Sequence, residues 1–265
     1  MSRYEHPGTA WDSVRPDQET DQALDYHVRR MRDAIAGPLA RAASVLDQAE
    51  RHARDTTERG RLHGEDISMN FTLRQAKLYY HLLKGEELYR GWKSQHDQAA
   101  GLGALTELAL ARCTWELQRK FVAASGMKAN PLIPSPRPLE QRASELAQAI
   151  TRDPRSVVGV NIAGFSFDSL EEHLMDGVTG YILAGPTGSR AVVWTDEAAS
   201  HSALGRMAGG LVWSDELGQP ILPGVLDLYS SPAVVDAQGM PAEKLFAALL
   251  ESQSRPCDSV PEKRR

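Results

Sequence analysis

The sequence predicts an α+β protein: an N-terminal antiparallel helical bundle, a Pro-rich linker, then a small α+β domain with a mainly antiparallel sheet. Three observations carry this. Apolar residues recur at helical spacing from about residue 20 to residue 126. Residues 127–138, MKANPLIPSPRP, hold four prolines in twelve positions, and proline fixes φ and removes a backbone donor, which excludes a helix interior or a central strand. Beyond them the pattern turns to short Val- and Ile-rich runs separated by turn residues. The resulting organisation is a flexible arm over 1–19, a bundle over 20–126, the linker over 127–138, the α+β domain over 139–252 and a disordered tail over 253–265.

The elements follow in order. Leu24, Val28, Met31 and Ile35 lie at spacings of four, three and four, one face of a helix. Gly37-Pro38 interrupts that run, and Pro suits the first turn of a new helix, so a break is expected there. Leu39, Ala42, Leu46 and Ala49 continue the apolar face. Gly60 and Gly64 bracket an expected turn before a third helix over 70–90, lined by Phe71, Leu78, Leu82 and Tyr89. A fourth runs over 102–124, with Leu105, Leu108, Cys113, Leu117 and Phe121 inward and Ser125-Gly126 as its stop. Four helices with short links read as a bundle.

After the linker, Leu139, Ala143, Leu146 and Ile150 mark a short helix, and SVVGVNIA (156–163) a strand. Ser169 with Glu172 three residues later matches a capping box, which predicts a short helix ending at Gly177. The runs 178–184 and 191–195, joined through Gly185-Pro186-Thr187-Gly188, predict a β-hairpin. Residues 197–207 read as helix, 211–213 and 224–229 as short strands, and 241–251 as a final helix.

Composition narrows the function classes. The 265 residues are 42% hydrophobic and 25% charged, with net charge −5, which is ordinary globular usage. Residues 156–240 carry ten acids against Arg190 and Arg206, so that module repels a phosphate backbone and nucleic acid is not an expected partner. The two cysteines, Cys113 and Cys257, read as free thiols of a reducing compartment. The first residues hold Arg3, Glu5 and Pro7 without an apolar run, so no secretory signal is expected. The longest stretch free of Asp, Glu, Lys and Arg is 13 residues, 177–189, short of the roughly 20 a membrane helix needs. A soluble, cytoplasmic protein without a membrane partner is expected.

Several residue groups bear on chemistry. Gly185-Pro186-Thr187-Gly188-Ser189 opens like a phosphate-binding loop, but Arg190-Ala191 stand where Lys and a hydroxyl residue are needed, and a strand follows instead of a helix. A hairpin turn is the expected form, and no cofactor is expected. Gly164-Phe165-Ser166-Phe167-Asp168 follows a strand as a nucleophile elbow does, but lacks its second glycine. Ser166 is the candidate nucleophile, with His173 or His201 as its base. On predicted helices, His173 with Asp176 and Glu197 with His201 each share a face, and together would give four N/O ligands for a divalent metal. The ordinary alternative is a pair of solvated helix faces. Tyr79, Tyr80, Tyr89 and Trp92 form an aromatic group that serves either as core or as a partner surface.

No group completes a catalytic or cofactor motif. The expectation is therefore a non-catalytic interaction or regulatory protein, docking or self-associating through the bundle and using the acidic module for recognition. The alternatives are a metal-assisted or serine hydrolase acting through the α+β module, and a DNA-binding regulator acting through the helical half.

Overall fold

The computed structural model describes residues 17–124, 137–153, 159–160, 172–175, 178–185, 188–195, 203–204, 211–221, 232–251 and 254–255. The α+β class is as the sequence predicts: a long helical region followed by an antiparallel sheet. The proline stretch lies almost wholly outside the described residues. Its last two positions, Arg137 and Pro138, open a helix, where proline is tolerated.

Helix α1 (Asp21–Arg30) is capped by Thr20, whose hydroxyl accepts from the Ala23 amide at 3.2 Å. It does not break at Gly37-Pro38, as the sequence suggests. A π-helical segment, Met31–Ala36, leads without interruption into α2 (Gly37–Arg51). The widened turn gives the proline ring room at the carbonyl four residues back, the clash that normally breaks a helix.

Helix α3 (Thr56–Gln95) spans 40 residues, about 60 Å at 1.5 Å per residue. It runs straight through Gly60 and Gly64, where a turn was expected. Its start is a reciprocal cap: the Asp55 carboxylate accepts from the Glu58 amide at 2.7 Å, and the Glu58 carboxylate accepts from the Arg54 amide at 2.9 Å. It ends at His96 in the left-handed conformation, φ 51°. Helix α4 (Gln98–Ala124) then returns against it, with Asp97 accepting from the Ala99 amide. Gly85 lets the two helices close: a Cβ there would lie 3.0 Å from Leu108. Helix α5 (Arg137–Arg152) docks on this pair through Leu146, Ala147 and Ile150, and Arg142 pairs with the buried Glu86 carboxylate at 3.0 and 3.1 Å.

The sheet has the order β1 (Gly159–Val160), β3 (Val178–Gly185), β4 (Gly188–Thr195), β7 (Ala233–Gln238), β6 (Val212–Asp215), with β2 (Glu172–Met175) also on β3, all antiparallel. The β3–β4 hairpin is the one expected, with Gly185 paired to Gly188. Gly188 has φ 151°, and a Cβ on it would meet the Ala237 carbonyl at 2.5 Å. The capping-box helix is a misreading: Glu172 and His173 lie in β2, paired with Gly180 and Thr179. So short a segment is a marginal helix, whereas β3 offers it a ladder. Residues 203–204, expected in a helix, form β5 (Ala203–Leu204), which pairs with β8 (Ser254–Arg255), two residues of the expected tail. Strand β7 had no counterpart in the sequence reading. The run expected over 224–229 lies outside the described residues, and the final helix is α6 (Ala242–Glu251).

Side chains alternate across the hairpin as strand geometry requires. Tyr181, Leu183, Val192 and Trp194 face α3, α4 and α5 and share a core with Leu105, Leu108 and Ile150. Ile182, Ala191 and Val193 face the other way, against Trp213, Val235 and α6 residues Leu245 and Leu249. On the far side of α3, Ala76, Tyr80 and Leu83 receive Leu24, Val28 and Met31. The order of layers is α6, sheet, α3–α4 pair, α1.

Candidate functional site

The turn after β6 reaches from the sheet into the helical pair. Asp215 shapes it, accepting from the Leu217 and Gln219 amides at 2.9 and 2.7 Å, with Gly218 at φ 81°. Burial raises the Asp215 carboxyl above its usual range, and these two amides offset part of that rise. The turn thereby delivers Glu216, only 4% exposed, to a cluster of charged side chains.

Lys77 and His81 stand one helical turn apart on α3, so they share a face. The Lys77 ammonium donates to Glu216 Oε1. Thr114 of α4 donates its hydroxyl to Glu216 Oε2 at 3.3 Å. The His81 ring sits between two carboxylates: Nδ1 lies 2.7 Å from Glu107 Oε2 and Nε2 lies 3.5 Å from Glu216 Oε2. His81 is fully buried, and Tyr80 packs edge-on to it with ring centroids 5.2 Å apart.

Burial alone lowers a histidine pKa, but the Glu107 hydrogen bond and the charges of Glu107 and Glu216 outweigh it and lift His81 to about 9. Burial likewise favours a neutral carboxyl, but Lys77 and His81 outweigh it and hold Glu216 down at about 2. Near neutral pH the cluster therefore pairs cationic Lys77 and His81 with anionic Glu216, beside Glu107. Cys113, fully buried, has its thiol pushed well up by burial and by Glu216, so it stays protonated and weakly nucleophilic. The Thr114 hydroxyl is taken up by Glu216. The arrangement joins three elements; it does not present a reactive group to solvent.

A second feature is a hollow of about 300 Å³ at the start of β4, lined by Leu102, Ser189, Arg190, Asp236 and Gln238. Arg190 is already engaged, 2.8 Å from Asp236 Oδ2 and 3.4 Å from the Thr106 hydroxyl.

Of the residues singled out in the sequence, Ser166, Asp176, Glu197 and His201 lie outside the described residues. His173 lies in β2, so the helix-face spacing invoked for the His173–Asp176 pair does not apply. Among the described residues no group of three His, Cys, Asp or Glu side chains could hold a metal ion. Tyr80 and Trp92 are buried in the chain's own core, at 5% and 4% exposure; Tyr79 and Tyr89 pack beside them, half-buried. The Lys77–His81–Glu216 cluster was missed. The four-residue spacing of Lys77 and His81 was visible, but nothing local ties them to a carboxylate 139 residues from Lys77.

No family model, no curated protein and no solved structure matches this chain. No helix among the described residues is long and apolar enough to cross a membrane.

Proposed function

We propose that this chain is a non-catalytic, cytoplasmic interaction protein that docks through its helical half, with a second copy of itself as the first partner to test. The observation that carries this is the helical hairpin made by α2 and the first half of α3. The core contacts of α3 begin at Leu73; before it, no α3 residue is buried, and α2 buries only Ala43. Val45 on this hairpin is 66% exposed, and Tyr26 on α1 is 54% exposed. A helical hairpin whose apolar side chains stay half in water is suited to a partner that completes their burial.

Charge favours a protein over a nucleic acid as that partner. Residues 37–71 hold five arginines and six acids, and such a balanced surface pairs with a copy of itself as readily as with another mixed surface. The test is site-specific photo-crosslinking of the full chain. A crosslinker at position 45 should yield a covalent dimer, whereas one at the exposed Lys244 of α6, across the sheet from the helical pair, should not. Equal yields at the two positions, or none at either, would remove the support for this reading.

A further inference from the structure

We propose that the turn Asp215–Gly218 is a releasable latch, held in the α3–α4 pair by Glu216 and let go when His81 loses its proton. The proposal is independent of the docking reading above. Its basis is geometric. Glu216 is the one residue of the turn that is fully buried, and its carboxylate contacts a lysine, a histidine and a threonine on two helices. Leu217, beside it, packs against the α1–α3 core. The turn closes a narrow hairpin-like element: the Ile221 amide donates to the Trp213 carbonyl at 3.0 Å and the Asp215 amide to the Gln219 carbonyl at 2.8 Å. The turn can leave the helices while β6 stays paired with β7 and β3 with β4.

Among the described residues, these groups face His81. From its own helix come Lys77 and Tyr80; from α4 come Glu107, with Cys113 and Thr114 beside Glu216; from the turn come Glu216 and, behind it, Asp215. Arg32, Glu87 and Asp33 act on Tyr80. Protonated His81 gives Glu107 and Glu216 a shared cation. Neutral His81 leaves Glu216 with Lys77 and Thr114 and leaves Glu107, 17% exposed, without its cation, so the two carboxylates face each other across an uncharged, buried ring. Like charges poorly screened by water repel, and the turn relieves this by carrying Glu216 out to solvent.

The sign and size follow from linkage. Opening the latch removes the Glu216 share of what lifts His81 to about 9 and leaves the Glu107 share in place, so the open state titrates below the closed one. The closed state therefore holds the proton to higher pH, and the opening constant rises with pH by about tenfold for each unit by which the open state titrates lower.

Hydrogen–deuterium exchange on the full chain tests this, read as protection factors so that the base catalysis of exchange divides out. Between about pH 6 and about pH 8.5, protection over residues 211–221 should fall at least about tenfold, while residues 178–195 change less than about threefold. In His81→Gln, protection over 211–221 should be low at both pH values. In Glu107→Gln, which keeps the histidine and removes one of its carboxylates, the fall should be at least about threefold smaller than in the wild type. A parallel fall in both regions means global loosening and overturns the latch. So does unchanged protection over 211–221, or a Glu107→Gln variant with the full wild-type slope; that variant decides the matter if His81→Gln does not fold.

Discussion

At the scale of single residues, Glu216 and His81 make opposite demands on pH. Glu216 is held at about 2, below its ordinary 4.5, so its contribution to stability is present above 4.5 and is lost as pH falls towards 2. His81 is raised from 6.5 to about 9, so its contribution is full below 6.5 and is lost as pH rises towards 9. Stability from this cluster should therefore be greatest between about pH 4.5 and 6.5. Urea unfolding across pH would show it, with the alkaline decline absent in His81→Gln; a wild-type decline that His81→Gln retains would place its origin elsewhere. Gln118, one turn beyond Thr114, is 2% exposed, and its amide has no hydrogen-bond partner among the described residues. Replacing it by the similarly shaped Met should raise stability by about 1 kcal/mol, because a buried unsatisfied amide is lost and no contact is given up; a drop of that size would reveal a partner for the amide. Leu108, fully buried between Gly85 and the sheet, should cost about 3 kcal/mol on truncation to Ala. Val45→Ala, at a site that is 66% exposed in the single chain, should stay within about 0.5 kcal/mol in the same measurement at protein concentrations that keep the chain monomeric.

At the scale of elements, the long helices were legible and their breaks were not. Gly60, Gly64 and Gly37-Pro38 looked like interruptions because each residue is a poor helix former on its own. The helix carries them: the Asp55–Glu58 cap fixes the start of α3, and the π segment accommodates Pro38. The Asp55-x-x-Glu58 spacing is itself a capping-box signal for the start of α3. At Ser169–Glu172 the same signal misled, because pairing with β3 outcompetes a short isolated helix. The α3 reading makes a direct prediction. Gly60 and Gly64 are exposed with nothing within 4 Å of a new Cβ, so Gly60→Ala and Gly64→Ala should each raise stability by about 0.5–1 kcal/mol in thermal or urea unfolding. A loss at either site would mean that the helix does not run through it. Gly188→Ala should do the reverse, since it adds a Cβ 2.5 Å from the Ala237 carbonyl at a φ that favours glycine.

At the scale of the whole molecule, the class and the hairpin at the centre of the sheet could be read locally, from period-2 and helical spacing and from turn residues. The charge cluster and the layer order could not, because both depend on pairings between distant segments: Glu216 with Lys77 and His81, and β4 with β7 across the chain. The same distance hid β7, whose run of small and β-branched residues takes its meaning from the neighbours on either side. What the layers leave is a helical hairpin that extends past the sheet-covered core with Val45 in water, and the interaction reading stands on that hairpin. Light scattering of the full chain as it elutes from a sizing column tests it most directly. The account predicts a mass of twice the chain's 29.1 kDa for the wild type, and a monomer for a Tyr26→Asp, Val45→Asp double variant that keeps the wild-type far-ultraviolet circular dichroism and has a lower unfolding midpoint, since the stabilisation by the partner is lost. A strictly monomeric wild type at concentrations of tens of micromolar, or a dimer that the double variant leaves intact, would contradict it.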